Sequence, residues 1–141
     1  MAVAKWATPS AQGSNIASTT LDSLANGSTS AFVTHDNSTN LDLYASVLVN
    51  LGSLTPTTGG SITLRIFGAQ SADVPDATGS VGGGDAYTQP LTVSAGAKAA
   101  VFSMVRLYPE SLRLCVTNNA GVALAATANS IKVRPYNESV I

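Results

Sequence analysis

The chain has 141 residues, of which only 11% are charged, with seven Lys and Arg against eight Asp and Glu and a net charge of −1. That length fits one domain with one core, and the near-neutral balance without a cationic cluster excludes a surface built to track a phosphate backbone, so no nucleic-acid partner is expected. The single cysteine, Cys115, excludes an internal disulfide framework and is expected to pack as a small buried hydrophobe.

No signal peptide is read at Met1–Trp6, where Lys5 interrupts the apolar stretch. The Ala-rich segment Ala120–Ala128 falls well short of the ~18 residues of a membrane span, so no membrane partner is expected. Soluble domains carry about a quarter of their residues as charges, and charge is what keeps neighbours apart. This sparsely charged surface is therefore expected to meet other proteins closely.

From Ala7 to Ser30 the chain is dominated by Ser, Thr, Ala, Asn and Gly, with Ile16, Leu21 and Leu24 as spaced apolar anchors. We read residues 1–30 as an extended N-terminal arm, with Leu21 and Leu24 able to close one helical turn capped by Thr20 or Asp22. Residues 31–141 are read as the folded domain. Ala31–Thr34 is a short strand, followed by a polar connection from His35 to Asn40. Leu41, Leu43, Ala45, Val47, Val49 and Leu51 alternate with polar residues and predict one face of a long strand. After the break Gly52–Gly60, Ser61–Gln70 forms the next strand, and Ser71–Asp85 must be a loop because it holds Pro75 and the run Gly82–Gly84.

Tyr87–Val93 is a weak strand that Pro90 assigns to a sheet edge. Ala97–Leu107, Ser111–Thr117, Val122–Ala126 and Ile131–Tyr136 complete the series. Seven or eight strands separated by turn signals, with no amphipathic helix, predict an all-β chain: a single-domain antiparallel β-sandwich of the jelly-roll kind. Four of the strands carry one arginine each on their polar face: Arg65, Arg106, Arg113 and Arg134. Either these pair locally with Asp42, Glu110 or Glu138, or they reach carboxylates and carbonyls of neighbouring subunits. Trp6, the sole tryptophan, either lies beneath its own arm or anchors in a partner's pocket.

The supply of catalytic groups is poor. His35 is the only histidine and reads as a surface-loop residue, with no partners to orient it as a base. Asp73, Asp76 and Asp85 match no calcium-loop spacing, and Gly82–Gly84 lacks the Gly-Lys-Ser/Thr ending of a phosphate loop. No cofactor, metal or enzymatic activity is expected. Three Asn-X-Ser/Thr sites stand at Asn26, Asn37 and Asn137.

The stretch Lys5-Trp6, Ile16–Thr20 and Leu21–Ser28, together with Arg106–Pro109, Val116–Val122 and Val133–Asn137, resembles small tailed-bacteriophage virion proteins. The resemblance implies a non-enzymatic subunit of the virion, most like a head decoration or cement protein that binds the outside of an assembled capsid. Such proteins are often β-rich trimers that clamp adjacent capsomers. It implies the major capsid protein lattice and the chain itself, as a homotrimer, as partners. The expected location is the virion surface, after synthesis in the host cytoplasm. The resemblance transfers no binding residues. Trp6, Ile16, Leu21, Leu24 and the four arginines are our partner-binding candidates from the residues themselves. The same sandwich in the tail or head-to-tail connector is one alternative, and a carbohydrate-binding module using Ser71–Asp85 is another.

Overall fold

The computed structural model describes residues 4–6, 13–68 and 84–140. The strands are β1 (Ala4–Trp6), β2 (Ser14–Ala17), β3 (Val33–Asp36), β4 (Tyr44–Leu54), β5 (Ser61–Gly68), β6 (Asp85–Pro90), β7 (Gly96–Arg106), β8 (Ser111–Asn119), β9 (Ser130–Tyr136) and β10 (Glu138–Val140). No helix occurs among the described residues. Two antiparallel four-stranded sheets, β2–β9–β4–β7 and β3–β8–β5–β6, form a β-sandwich, and β1 pairs with β10 in a separate ribbon.

Period-two alternation decides which side chains enter the core. In β4 the inward set is Ala45, Val47, Val49 and Leu51; β5 supplies Ile62, Leu64 and Ile66; β8 supplies Leu112, Leu114 and Val116. All lie in one apolar cluster between the sheets. Each fully buried Val, Leu or Ile contributes about 1.5–3 kcal/mol relative to exposure.

The pairings are nested. β2 pairs with β9, β3 with β8, β4 with β7 and β5 with β6, as though a hairpin four strands long had been rolled into two layers. β9 then joins β4, and β8 joins β5. The ends of β3, β4, β7 and β9 nearest Asp36, Tyr44, Arg106 and Tyr136 therefore share one pole of the sandwich, here the β3–β4 pole. The opposite pole holds the connections β2–β3, β4–β5 and β8–β9.

Several expectations are corrected. The arm anticipated over residues 1–30 is, from Ser14 onward, part of the sandwich: β2 pairs with β9, and Leu21 is 1% exposed in the core. Main-chain bonds tie the following residues down, from Gly27 N to Asn118 O, Ser30 N to Val116 O and Leu124 N to Leu24 O. Leu21 and Leu24 sit in successive turns and not in a helical turn, and the Asp22 carboxylate accepts from Asn129 and does not cap one.

The strand expected at Val122–Ala126 is irregular. Side-chain amides take its carbonyls: Asn118 Nδ2 donates to Val122 O at 2.8 Å and Asn129 Nδ2 to Ala125 O at 2.8 Å. Gly121 closes this region at a φ of +83°, where an added Cβ would run into the Thr57 side chain. Most of the expected loop Ser71–Asp85 lies outside the described residues, but Asp85 itself opens β6.

Candidate interaction surfaces

The outer face of the β2–β9–β4–β7 sheet is built in rows by strand register. Tyr136, Tyr44 and Arg106 face one another across β9, β4 and β7; the next rows place Arg134 beside Ser46, and Lys132 beside Leu48 and Val101. The two tyrosine rings stack at 5.9 Å with 25° between their planes. Val101, midway along β7, is 50% exposed. A shallow groove of about 180 Å³ runs past Gly13, Ser46, Leu48, Val101, Lys132 and Arg134.

The four strands of this sheet contain Lys98, Arg106, Lys132 and Arg134 and no Asp or Glu. Four of the chain's seven cations thus sit on the strands of one sheet. The other sheet is balanced: Arg65 and Arg113 against Asp36 and Asp85. Lys98 is tied locally, donating to Ser94 Oγ at 2.8 Å and Thr92 Oγ1 at 3.3 Å.

β7 is an edge strand, and edges left open invite pairing with other chains. Its ladder to β4 shifts register where Ala45 and Val47 oppose Val105 and Phe102, leaving an extra residue on β7, a bulge that twists an edge away from regular pairing. Met104, in the bulge, has a φ of +55° and is 55% exposed.

The β3–β4 pole forms the second surface. Leu41 and Leu43, expected on the inner face of a strand, are 53% and 51% exposed. The reason is local: Leu41 takes a φ of +50°, which breaks the alternation, and β4 begins only at Tyr44. Two asparagines hold the loop there. Asn37 donates to Asp42 O at 2.9 Å and Tyr108 O at 2.8 Å, and accepts from Asp42 N at 2.9 Å. Asn137 accepts from Leu43 N at 2.7 Å and donates to Asp42 Oδ1 at 2.8 Å. Leu41, Leu43, Tyr44, Arg106, Leu107 and Pro109 line a groove of about 370 Å³ with Asp42.

Acids gather at the same pole, although the groove of the two leucines itself holds one acid, Asp42, and one cation, Arg106. Asp36, Asp42, Asp85, Glu110 and Glu138, five of the eight in the chain, lie at this pole, and of the described acids only Asp22 lies at the other. Asp85 accepts from the Tyr108 hydroxyl at 3.0 Å, which pushes the Tyr108 pKa up. Asp36 accepts from Ser38 N and Oγ, which holds its carboxyl below the usual range.

The candidate residues do not converge on one site. Arg106 and Arg134 lie on the outer face of one sheet, and Arg65 and Arg113 on that of the other, opposite Cys115 and Phe67. There Phe67 meets Phe32 edge-on at 5.6 Å, and with buried Cys115 they make a small separate cluster. Burial pushes the Cys115 thiol up to about 11. Leu21 is consumed by its own core and is not available to a partner, while Ile16 and Leu24 pack partly buried against that core. Trp6 ends β1 opposite Glu138; the structure describes its backbone.

His35 is not a loop residue: it lies on β3 opposite Leu112. Burial lowers its pKa against the opposing pull of Asp42 and Asp36, and its buried Nε2 has no hydrogen-bond partner among the described residues. Asp73, Asp76 and Gly82–Gly83 lie outside the described residues. Among the described residues no group of three or more His, Cys, Asp or Glu is placed to hold a metal ion. No helix of the described chain is long and apolar enough to cross a membrane. No protein-family model matches the chain, and no curated protein matches its sequence.

Proposed function

We propose that this chain is a non-enzymatic structural subunit of a phage virion that binds and stabilises the outside of the capsid as a decoration or cement protein. Its partners in this reading are the major capsid protein lattice and further copies of itself, as a homotrimer. It is made in the cytoplasm of the bacterial host and resides on the virion surface. The observation that carries the reading is the nested order of eight strands in two sheets. That order supports a jelly roll, the two-sheet architecture that recurs in viral capsid and lectin domains.

Fold alone does not assign function, so the surfaces matter. Leu41, Leu43, Val101 and Met104 are each at least half exposed, as expected of a protein that completes its burial against neighbours. Many weak contacts repeated over a lattice supply holding strength through avidity. The buried Nε2 of His35 leaves the chain's only histidine poorly placed to act as a base, which supports a non-enzymatic role.

Co-sedimentation of the purified chain with phage heads lacking it tests the reading. Saturable binding to heads is expected; binding only to tails or connectors moves the chain to those parts of the particle. A second reading, a carbohydrate-binding module, is favoured by one observation, the Tyr44–Tyr136 stack in register with Arg106, since aromatic faces suit sugar rings. A glycan array without hits removes it.

A further inference from the structure

β3 is a short edge strand that pairs on one side only, with β8. His35 shares the face of buried Val33 and stands opposite buried Leu112, so the chain's only imidazole enters the sandwich wall at the β3–β4 pole. Its Nε2 is buried there with no hydrogen-bond partner among the described residues. A buried polar atom left unpaired is rare in folded proteins and calls for an explanation. In the neutral ring it costs one missed hydrogen bond. In the protonated ring the same atom is a donor on a cation, and an unpaired buried charge costs far more.

We propose that protonation of His35 opens the β3–β4 connection, residues 37–43, so that the loop carrying Leu41 and Leu43 is held closed at neutral pH and released from the sandwich in mild acid. The proposal concerns this chain alone and does not rest on the capsid reading.

The groups around the ring decide the direction. Of the elements packed against β3, β2 has no titratable side chain, and β8 carries Arg113 and Cys115 on the face away from Leu112. The connection contributes Asp42, and β3 itself contributes Asp36. Both carboxylates favour the protonated ring, but burial outweighs them. Asp42 is already engaged: its Oδ1 accepts from Asn137 Nδ2 at 2.8 Å, and Asn37 holds its main-chain N and O, each at 2.9 Å. A protonated ring reaches a partner by drawing Asp42 out of those bonds or by swinging into water. Either movement unseats the connection, and Asn37 is the clamp that ties it to Tyr108 O.

Hydrogen exchange of the full chain tests the proposal, read amide by amide by NMR at about pH 7.5 and about pH 5.5, either side of the ordinary histidine value, and corrected for intrinsic exchange. The reporters are Leu41 N, bonded to Asn37 O at 3.0 Å, and Leu43 N, bonded to Asn137 Oδ1 at 2.7 Å. Leu64 and Val116, register partners on the central strands β5 and β8, report global unfolding. An opening that frees one histidine of ordinary pKa gains up to about tenfold for each pH unit below 6.5. Reporter protection is therefore expected to fall by up to about tenfold in acid. It is expected to stay insensitive to low urea, because a local opening exposes little surface, while Leu64 and Val116 remain better protected and follow urea. His35→Gln is expected to show no fall.

Reporters that keep their protection in acid overturn the proposal, as does the same fall in His35→Gln. A urea slope at the reporters equal to that of Leu64 and Val116 also overturns it, because the connection then opens only with the whole fold. A further measurement needs no variant: the ring carbon shifts of His35 are expected to titrate below pH 6.5, and titration at or above that value contradicts the proposal.

Discussion

The two poles of the sandwich use the same device to opposite ends. Around the β8–β9 connection, Asn118 and Asn129 turn their side chains onto backbone groups, and the apolar residues they hold, Leu21 and Leu124, are buried, whereas Val93 in the neighbouring β6–β7 connection is 57% exposed. At the β3–β4 pole, Asn37 and Asn137 hold the chain just as firmly, yet Leu41 and Leu43 stand in solvent. A well-determined loop that exposes leucine differs from a loop that has frayed. The region around Asn118 and Asn129 is finished within the chain; the loop of Leu41 and Leu43 presents a surface.

Breaking the finished region produces the largest effect. Deletion of residues 1–30 removes β2 and Leu21 and leaves the main-chain partners of Val116, Asn118 and Leu124 unmet. The truncated chain is expected to lose cooperative unfolding by circular dichroism; a detached arm would leave the melt unchanged. Leu21→Ala, the point version, is expected to cost about 2–5 kcal/mol in chemical denaturation, as for other leucines truncated in a packed core.

Next in size is Asn118→Ala. Asn118 is fully buried and serves Leu24 O, Val122 O and Ala120 N. Each buried polar group left without a partner costs about 1–3 kcal/mol, so a loss within or above that range is expected from the same denaturation curves.

Leu43→Ser sharpens the contrast from the other pole. An exposed side chain away from special backbone geometry contributes within about 0.5 kcal/mol to stability, so the melt is expected to hold while binding to other copies or to heads weakens. A change that lowered stability as much as Leu21→Ala would make the loop of Leu41 and Leu43 a core like the region around Leu21.

The smallest effect is on pH dependence. Burial lowers the His35 pKa from its ordinary 6.5, so below that value the unfolded chain binds a proton that the folded chain resists. The stabilising contribution is complete above pH 6.5 and declines as the pH falls toward the folded value. His35→Gln is expected to flatten stability between neutral pH and that lower limit. Asp36, held below its ordinary 3.8, acts in a separate, more acidic window, where stability declines as the carboxylate is protonated.

The strands were legible wherever two faces differ. Alternation around Val47, Leu64, Leu114 and Ile131 marks β4, β5, β8 and β9, because an inward apolar set and an outward polar set write a period of two into the chain. Pro90 marked β6 as an edge, and β6 is the last strand of its sheet. β2 was not legible. Its four residues, Ser14–Ala17, carry too few apolar side chains, and its pairing with β9 is a contact between the two ends of the chain. Nor was the fate of Val122–Ala126, where apolar composition suggests a strand but Asn118 and Asn129 take the carbonyls a ladder would need.

The surfaces were legible only in part. The arginines were visible one strand at a time, but the charge asymmetry depends on Lys98, Arg106, Lys132 and Arg134 sharing a sheet, and their separation in sequence conceals that. The exposure of Leu41 was hidden because local alternation continues through it while its backbone turns left-handed. Asn37 and Asn137 are glycosylation sites by pattern, but as folded they are loop anchors, and Asn37 is buried.

The most direct measurement is a cryo-electron microscopy map of phage heads that lack this protein, incubated with the purified full chain. The account predicts saturable, sandwich-shaped density on the outer lattice. Heads without added density, or density confined to the tail, would contradict it.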